Sequence, residues 1–225
     1  LSPASIAIAL TMTHGGAKGD TAAEMKKAMA IASDDVHGGW GSILGRWAEP
    51  NDKVELSVAN RLFGEATHKF EAPFQASPKA AYGAPLEPLD FIGNAEKQRQ
   101  YINGWVADAT KDRIEDLIPP DGIDRDTRLV LVNAIYLKAS WSKAFNPDRT
   151  ADGSFFVRGS EEVKVPMMQD SRYASYAETE HAQIATLPYV KGDLEMVLVV
   201  PKEKKGLAKV TAALTHDEIA SWSLK

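Results

Sequence analysis

The sequence predicts an α+β fold in which helices pack around mixed β-sheets. Helical patterns fill most of the first half of the chain, whereas short segments of branched and aromatic residues dominate the second half. With 44% hydrophobic and 25% charged residues among 225, the composition is that of a globular chain with a sizeable core. A long apolar strand near the middle of the sequence is the third observation, and the other elements are interpreted around it.

The composition excludes several classes of function. A net charge of −5 and an isoelectric point near 5.6 argue against nucleic acid or an anionic membrane as the main partner. The sequence has no apolar run of the roughly 18 residues that a transmembrane helix needs. Cysteine is absent, which excludes disulfide bonds and thiol catalysis but leaves the cellular compartment open.

The first helix has a defined start and end in the sequence. Ser2 supplies a hydroxyl cap, and Pro3 occupies the first helical position, where no backbone donor is lost. Gly15-Gly16 ends the helix. The residues between are apolar nearly all round, so we expect this helix to be buried and the hydroxyl of Ser5 to lie in apolar surroundings.

Other helices are predicted from caps and periodicity. Thr21-Ala-Ala-Glu24 has the spacing of a capping box and predicts the start of the second helix. Asn94 is predicted to cap a long amphipathic helix. Thr215-His-Asp-Glu218 is a second capping box, which precedes a short final helix. Two further helices are predicted over residues 33–49 and 70–81.

The strand pattern is dominated by residues 128–141. Their side chains are apolar on both faces, which is typical of a strand inside a sheet that is covered on both sides. At about 3.3 Å per residue, this strand would be about 45 Å long. Asn133 lies in its middle, and an unpaired buried amide costs about 1–3 kcal/mol, so we expect a specific hydrogen-bond partner. Shorter strands are predicted over residues 54–63, 85–91, 153–158, 163–168, 181–187 and 194–200.

No motif for catalysis or for cofactor binding is complete. His37-Gly38-Gly39-Trp40 resembles the oxyanion turn of esterases, but the G-x-S-x-G motif that supplies the nucleophile is missing, so glycines in a loop are the preferred interpretation. Residues 15–21 resemble a phosphate loop without its G-K-[ST] order and are interpreted as a turn between helices. The five histidines form no metal-binding pattern. The sequence therefore predicts a protein that is not an enzyme and has no cofactor or metal.

Three polar residues stand in apolar elements: Ser2 and Ser5 on the first helix, and Asn133 on the long strand. One interpretation is structural, with a capping serine, a small helical residue and a satisfied core amide. The other is that the three side chains form a functional hydrogen-bond cluster. The residues by themselves leave both interpretations open.

The same segments resemble the serpin family. LSPASIAIALTMTHGGAKGDTAAEM is similar to the segment from serpin helix B to helix C, and INGWVADATKDRIEDLI to the end of helix F. LVLVNAIYLKASWSKAF resembles strand 3A, with its V-N-x-x-x-x-K-x-x-W-x-x-F pattern. VKVPMMQ and LPYVKGDLEMVLVVP resemble further strands of the family, in the right order.

The resemblance implies a serpin-like fold and a mechanism based on a change of fold. Serpins have a metastable five-stranded sheet A and an exposed reactive-centre loop, which a target serine protease, or in some cases a cysteine protease, attacks as a substrate. The cut loop then inserts between strands 3A and 5A while the acyl-enzyme still exists, and the trapped protease is distorted. The protein would therefore be a suicide-substrate inhibitor.

The resemblance also assigns roles to individual residues. Ser2, Ser5 and Asn133 correspond to the shutter, a hydrogen-bond cluster that keeps sheet A closed and is exchanged when the sheet opens. Trp141 corresponds to the breach tryptophan at the top of the sheet, where insertion begins. Residues 94–111 correspond to helix F, which lies across sheet A and must shift to let the loop pass.

The resemblance further predicts a single serpin-like domain over residues 1–225 that is incomplete at both ends. Helix A would precede it, and the reactive loop, its small-residue hinge, strand 5A and the shutter histidine would follow it. A non-inhibitory carrier, storage protein or chaperone with the same fold is the alternative, and an unrecognised hydrolase is a third possibility.

The resemblance implies a secreted monomer whose partner is a protease. Residues 34–49, which correspond to helix D, lack the basic cluster that heparin activation uses in some members. We therefore do not expect heparin as a partner.

Overall fold

The computed structural model describes residues 2–33, 35–49, 52–172, 174–190, 192 and 194–222. Asp34, at the start of the segment assigned to helix D, lies outside the described residues. The helices are α1 (Pro3–His14), α2 (Gly19–Ala28), α3 (Val36–Trp47), α4 (Ala72–Tyr82), α5 (Phe91–Ala109), α6 (Leu207–Ala213) and α7 (His216–Trp222). The strands are β1 (Val54–Glu65), β2 (Leu86–Leu89), β3 (Leu129–Ala139), β4 (Ala151–Val157), β5 (Glu161–Met167), β6 (Ser175–Glu178), β7 (Ala182–Pro188) and β8 (Glu195–Pro201).

The chain divides into two compact units, Leu1–Lys138 and Ala139–Lys225. The first unit contains α1 to α5 and a three-stranded sheet in the order β2-β1-β3, in which β1 and β2 are parallel. The second contains the antiparallel pair β4-β5 and the antiparallel three-stranded sheet β6-β7-β8. This mixture of helices and sheets confirms the predicted α+β class. None of the described helices is long and apolar enough to cross a membrane.

The first unit has a hydrophobic cluster on each face of its sheet. On one face, α5 packs on β1 and β3 through Phe91, Ile102, Val106, Phe63 and Val132. On the other, α1 and α4 pack through Ile8, Met12, Leu62 and Tyr82, with Leu131 and Ile135 of β3 against them. Both faces of β3 are therefore covered, as its apolar pattern predicts, because successive side chains alternate between the two clusters.

Strand β3 lies at the side of this sheet, next to β1. The prediction that it lies inside a sheet is therefore wrong for the described residues, since its second edge pairs with no described strand. The strand is also shorter than predicted and ends at Ala139. Trp141 forms only an isolated antiparallel bridge with Tyr189 in the second unit.

Helix α1 starts and ends as predicted but is less buried than predicted. The Ser2 Oγ accepts from the Ser5 amide at 3.2 Å, which confirms the cap. Ile8, Thr11 and Met12 are buried, whereas Ile6 is 48% exposed and Leu10 42%. The prediction of an all-round buried helix is therefore wrong, because only one side of α1 packs against the described part of the chain.

Three further local predictions are wrong. Thr21 lies inside α2, which starts at Gly19, so it does not cap that helix. His37 to Trp40 lie in α3 and not in a loop, because Asp35 caps this helix by accepting from the amide of Gly38. Helix α5 is capped by Asp90 and not by Asn94. The backbone of Asn94, four residues further on, is non-helical and marks a kink. Elements β6 and α6 were not predicted.

Candidate functional site

The amide of Asn133 has a specific partner, as predicted. Its Nδ2 donates to Oδ1 of Asn60 on β1 at 2.6 Å. Asn60 is buried, and its own Nδ2 donates to the backbone carbonyl of Tyr82 at the end of α4 at 3.1 Å. These contacts form a polar chain from β3 through β1 to α4, inside the face of the sheet that α1 and α4 cover.

The side-chain oxygen of Asn133 takes no part in this chain. Oδ1 is buried and accepts no hydrogen bond from the described residues. A buried acceptor without a donor costs about 1–3 kcal/mol, and native proteins leave few of them unpaired. A donor that reached β3 from a neighbouring strand would remove this cost.

Tyr82 extends the polar chain to α3. Its hydroxyl lies 2.8 Å from Nδ1 of His37, and burial raises the pKa of Tyr82. Burial and the neighbouring His14 lower the pKa of His37, while Asp35 acts in the opposite direction. The surroundings of His37 therefore favour its neutral imidazole form.

The two serines of the predicted cluster do not bond to Asn133. Ser2 is exposed, and its hydroxyl caps α1 through the Ser5 amide. Ser5 is partly buried and precedes Ile8 and Met12 by about one and two helical turns, so it lies on the side of α1 that packs on the sheet. No hydrogen bond among the described residues joins either serine to Asn133, and the shutter assignment stays a prediction.

Trp141 stacks on Tyr189 within the second unit. The ring centroids are 4.7 Å apart and the ring planes differ by 8°. Phe145 meets the same indole edge-on at 6.1 Å. The tryptophan is therefore a partly buried aromatic anchor at the point where the chain leaves β3, and its role at a breach stays a prediction.

On the opposite face of the sheet, polar contacts tie α5 to β1 and β2. The Nη1 of Arg61 donates to Oε2 of Glu87 at 2.7 Å, and the hydroxyl of Tyr101 donates to Oε1 of the same carboxylate at 2.6 Å. The guanidinium of Arg61 also lies over the Trp105 ring, 5.1 Å from its centroid. These contacts link β1 and β2 to Tyr101 and Trp105 in the second half of α5.

The sequence-based assignment missed Asn60 and Tyr82. Asn60 had a related signal, because it is also an amide within a predicted strand. Tyr82 contributes a backbone carbonyl, for which a sequence contains no signal. Among the described residues, no group of three or more histidine, aspartate or glutamate side chains could hold a metal ion. The arrangement consists of hydrogen bonds between two side-chain amides, a backbone carbonyl, a hydroxyl and an imidazole.

Comparison with known proteins gives the family. The sequence model of the family described as Serpin (serine protease inhibitor) matches residues 1–225. The chain belongs to the serpin family. It is 38% identical over 228 residues to serpin B6 of Macaca fascicularis, covering 99% of this chain and 61% of that protein. It is 39% identical over 230 residues to antithrombin-III of Ovis aries, covering 99% of this chain and 50% of the relative.

The serpin fold is shown by solved structures as well. Ovalbumin from emu, Dromaius novaehollandiae, superposes with a TM-score of 0.93 at 29% identity, over 100% of this chain and 62% of that one. The chain thus spans between half and about three fifths of the length of the relatives it matches. The resemblance inferred from its motifs is confirmed at the level of family and fold.

Proposed function

We propose that the whole protein inhibits serine proteases, with cysteine proteases as a second class, as a suicide substrate whose reactive loop inserts into sheet A. The loop itself is not in this chain. The observation that carries the proposal is the position of β3, which pairs with β1 on one edge and with no described strand on the other. Apolar clusters cover both of its faces, so a strand added at that edge would extend an already formed core.

The unpaired oxygen of Asn133 supports the same proposal. It lies buried on β3, while the Nδ2 of the same amide is engaged with Asn60. The family resemblance places a shutter histidine after this chain, and the ring N–H of a histidine can supply such a donor. Within this proposal, Ser2, Ser5 and Asn133 form the shutter, Trp141 marks the breach, and α5 takes the place of helix F.

Other properties of the whole protein belong to the proposal and follow from the family. The protein acts as a secreted monomer, its partner is a protease and not heparin, it performs no catalysis of its own, and the two compact units are parts of one serpin domain. The names of the relatives support protease inhibition in general, because the family is described as serine protease inhibitors.

The test uses the intact protein and trypsin-, chymotrypsin- and subtilisin-like proteases, with a papain-like enzyme for the cysteine class. We expect a covalent complex that survives SDS electrophoresis with at least one of them, and none when the active-site serine of that protease is blocked beforehand. Cleavage within the loop should also raise the temperature of unfolding, because the inserted loop adds a strand to the sheet.

Two results would contradict inhibition. If no protease forms a covalent complex, and if loop cleavage leaves the temperature of unfolding unchanged, the non-inhibitory carrier, storage or chaperone role is favoured instead. Turnover of an ester or peptide substrate by the protein itself would instead favour a hydrolase.

A further inference from the structure

Glu65, the last residue of β1, is a buried carboxylate in which both oxygens are occupied. Only 1% of its surface is exposed. Oε2 accepts from the backbone amides of Phe91 at 2.8 Å and Ile92 at 3.2 Å, the first two residues of α5. Oε1 accepts from the amide of Thr67 at 3.1 Å and from its hydroxyl at 2.9 Å.

The carboxylate of Glu65 lies where the end of β1, the end of β2, the residue before β3 and the start of α5 come together. The backbone amide of Glu65 donates to the carbonyl of Arg128, just before β3, at 2.9 Å. Its Cα lies opposite Leu89, the last residue of β2. The carboxylate is thus fixed from the sheet side and holds the free amides at the N-terminus of α5, where the helix dipole favours a negative charge.

The hydrogen bonds explain how a charge can be buried here. The bonds from Thr67 and from the amides of Phe91 and Ile92 lower the pKa of Glu65, while desolvation acts in the opposite direction. The side chain is therefore an ionised carboxylate with four donors around it, not a protonated one.

The other polar tie between α5 and the sheet is more exposed. Tyr101, which bonds Glu87, is 47% exposed, and the side chains of Arg61 and Glu87 are 30% and 27% exposed. Solvent competes for such contacts and screens their charges. Of these polar contacts between α5 and the sheet, those of Glu65 are the ones made by a fully buried side chain.

We propose that Glu65 is a positioning residue that clamps the start of α5 to the end of β1 and so controls how readily the whole helix lifts from the sheet. The consequence for inhibition rests on the proposed function, in which the helix has to shift while the loop inserts. The clamp itself is a property of the described fold and can be tested without a protease.

The test variant is Glu65→Gln in the intact protein. The glutamine amide has the same shape but keeps only one acceptor oxygen. Its NH2 group replaces the other oxygen and would face N–H or O–H groups that donated hydrogen bonds to the carboxylate. Glu96→Gln is the matched control, because Glu96 is bonded to Arg99 and Gln100 within the same helix and not to the sheet.

Amide hydrogen exchange over α5 measures the effect. The first turn should lose protection in Glu65→Gln for the simple reason that its partner is gone. The deciding amides are those of residues 101–109, the nearest of which lies about 10 Å along the helix from residue 94, the end of the first turn. If Glu65 is a clamp, they should exchange about tenfold faster in Glu65→Gln, as expected for an element that opens as one unit, and should be unchanged in Glu96→Gln.

Loss of protection confined to residues 91–94 would make Glu65 an ordinary helix cap and would overturn the proposal. If Glu65→Gln does not fold, Thr67→Ala removes only one of the four donors. Faster exchange of residues 101–109 in that variant supports the clamp, and unchanged exchange overturns it.

A functional readout separates this proposal from the proposed function. On mild heating, Glu65→Gln should convert to polymers or to a latent form several-fold faster than the wild type and the Glu96→Gln control. If the wild type traps no protease, the proposed function fails, but the exchange result still decides the clamp. If the wild type traps proteases and exchange at residues 101–109 is unaffected, the clamp fails alone.

Discussion

The two faces of the sheet in the first unit are held in different ways. The face under α1 and α4 is covered by several helices. Its polar groups lie between these helices and the sheet, where hydrogen bonds run from Asn133 through Asn60 to Tyr82. The face under α5 is covered by this one long helix. Its hydrogen bonds to the sheet are made at its first residue, Phe91, and by Tyr101 near its middle. The first arrangement joins strands and the end of α4 through buried amides, and the second joins one helix to the sheet at its start and through Tyr101.

The largest expected effect comes from truncating neighbouring core residues of β1 that point to opposite faces. Phe63→Ala should lower the free energy of unfolding by about 3–5 kcal/mol and Leu62→Ala by about 2–5 kcal/mol, because both side chains are fully buried. Urea unfolding measures the loss. Hydrogen exchange should show α5 losing protection in Phe63→Ala, and α1 and α4 in Leu62→Ala.

A common pattern of lost protection in both variants would contradict this comparison, because the two faces would then respond as one body. The pair is its own control, since the residues are adjacent in the sequence and differ in the face they occupy.

A double-mutant cycle on Asn60 and Asn133 tests the lock between the strands. Either single substitution by leucine should cost about 1–3 kcal/mol, because the remaining amide is left buried without its partner. The double variant should cost less than the sum of the two, with a coupling of about 0.5–3 kcal/mol. Chemical denaturation of the four proteins gives this coupling.

Asn133→Leu should also promote polymers or a latent form, visible on native gels. Asn103→Leu is the control, because Asn103 is a buried amide that lies on α5 and bonds the backbone of Ile118, away from β3. Equal polymer formation in both variants, or unchanged mobility and inhibition in Asn133→Leu, would show that the Asn133 amide is not part of a lock.

The smallest expected effect is a pH dependence from His37. Because its pKa is lower in the folded chain than in the unfolded chain, unfolding takes up protons. The stabilisation is complete above the ordinary histidine pKa of about 6.5 and is lost as the pH falls through that value toward the lowered one. The charged or titratable groups around the imidazole are His14, Asp35 and the Tyr82 hydroxyl.

Thermal unfolding at pH 7.5 and 5.5 measures this effect. The wild type should lose more stability between the two pH values than His37→Asn. A pH dependence that is identical in the wild type and His37→Asn would exclude His37 as its source.

Local patterns were predictable where neighbouring residues decide the structure. The alternation in β3 predicted that both faces are covered, and Ser2-Pro3 predicted the cap of α1. Thr21 failed as a cap, although its spacing to Glu24 was right, because α2 begins two residues earlier at Gly19. A hydrogen-bonding pattern that also fits inside a helix cannot by itself fix where the helix starts.

The sequence by itself determined the class of fold, the family, the two-faced character of β3 and the presence of an amide that needs a partner. Only the tertiary structure decided that the partner is Asn60, 73 residues away, and that Glu65 meets the start of α5 across 26 residues. It also placed β3 at the side of the described sheet and left one face of α1 exposed. Periodicity and helix caps depend on residues that are close together in the sequence. Hydrogen-bond partners and the position of a strand in its sheet depend on which elements pack together in space, and a local sequence pattern does not specify that packing.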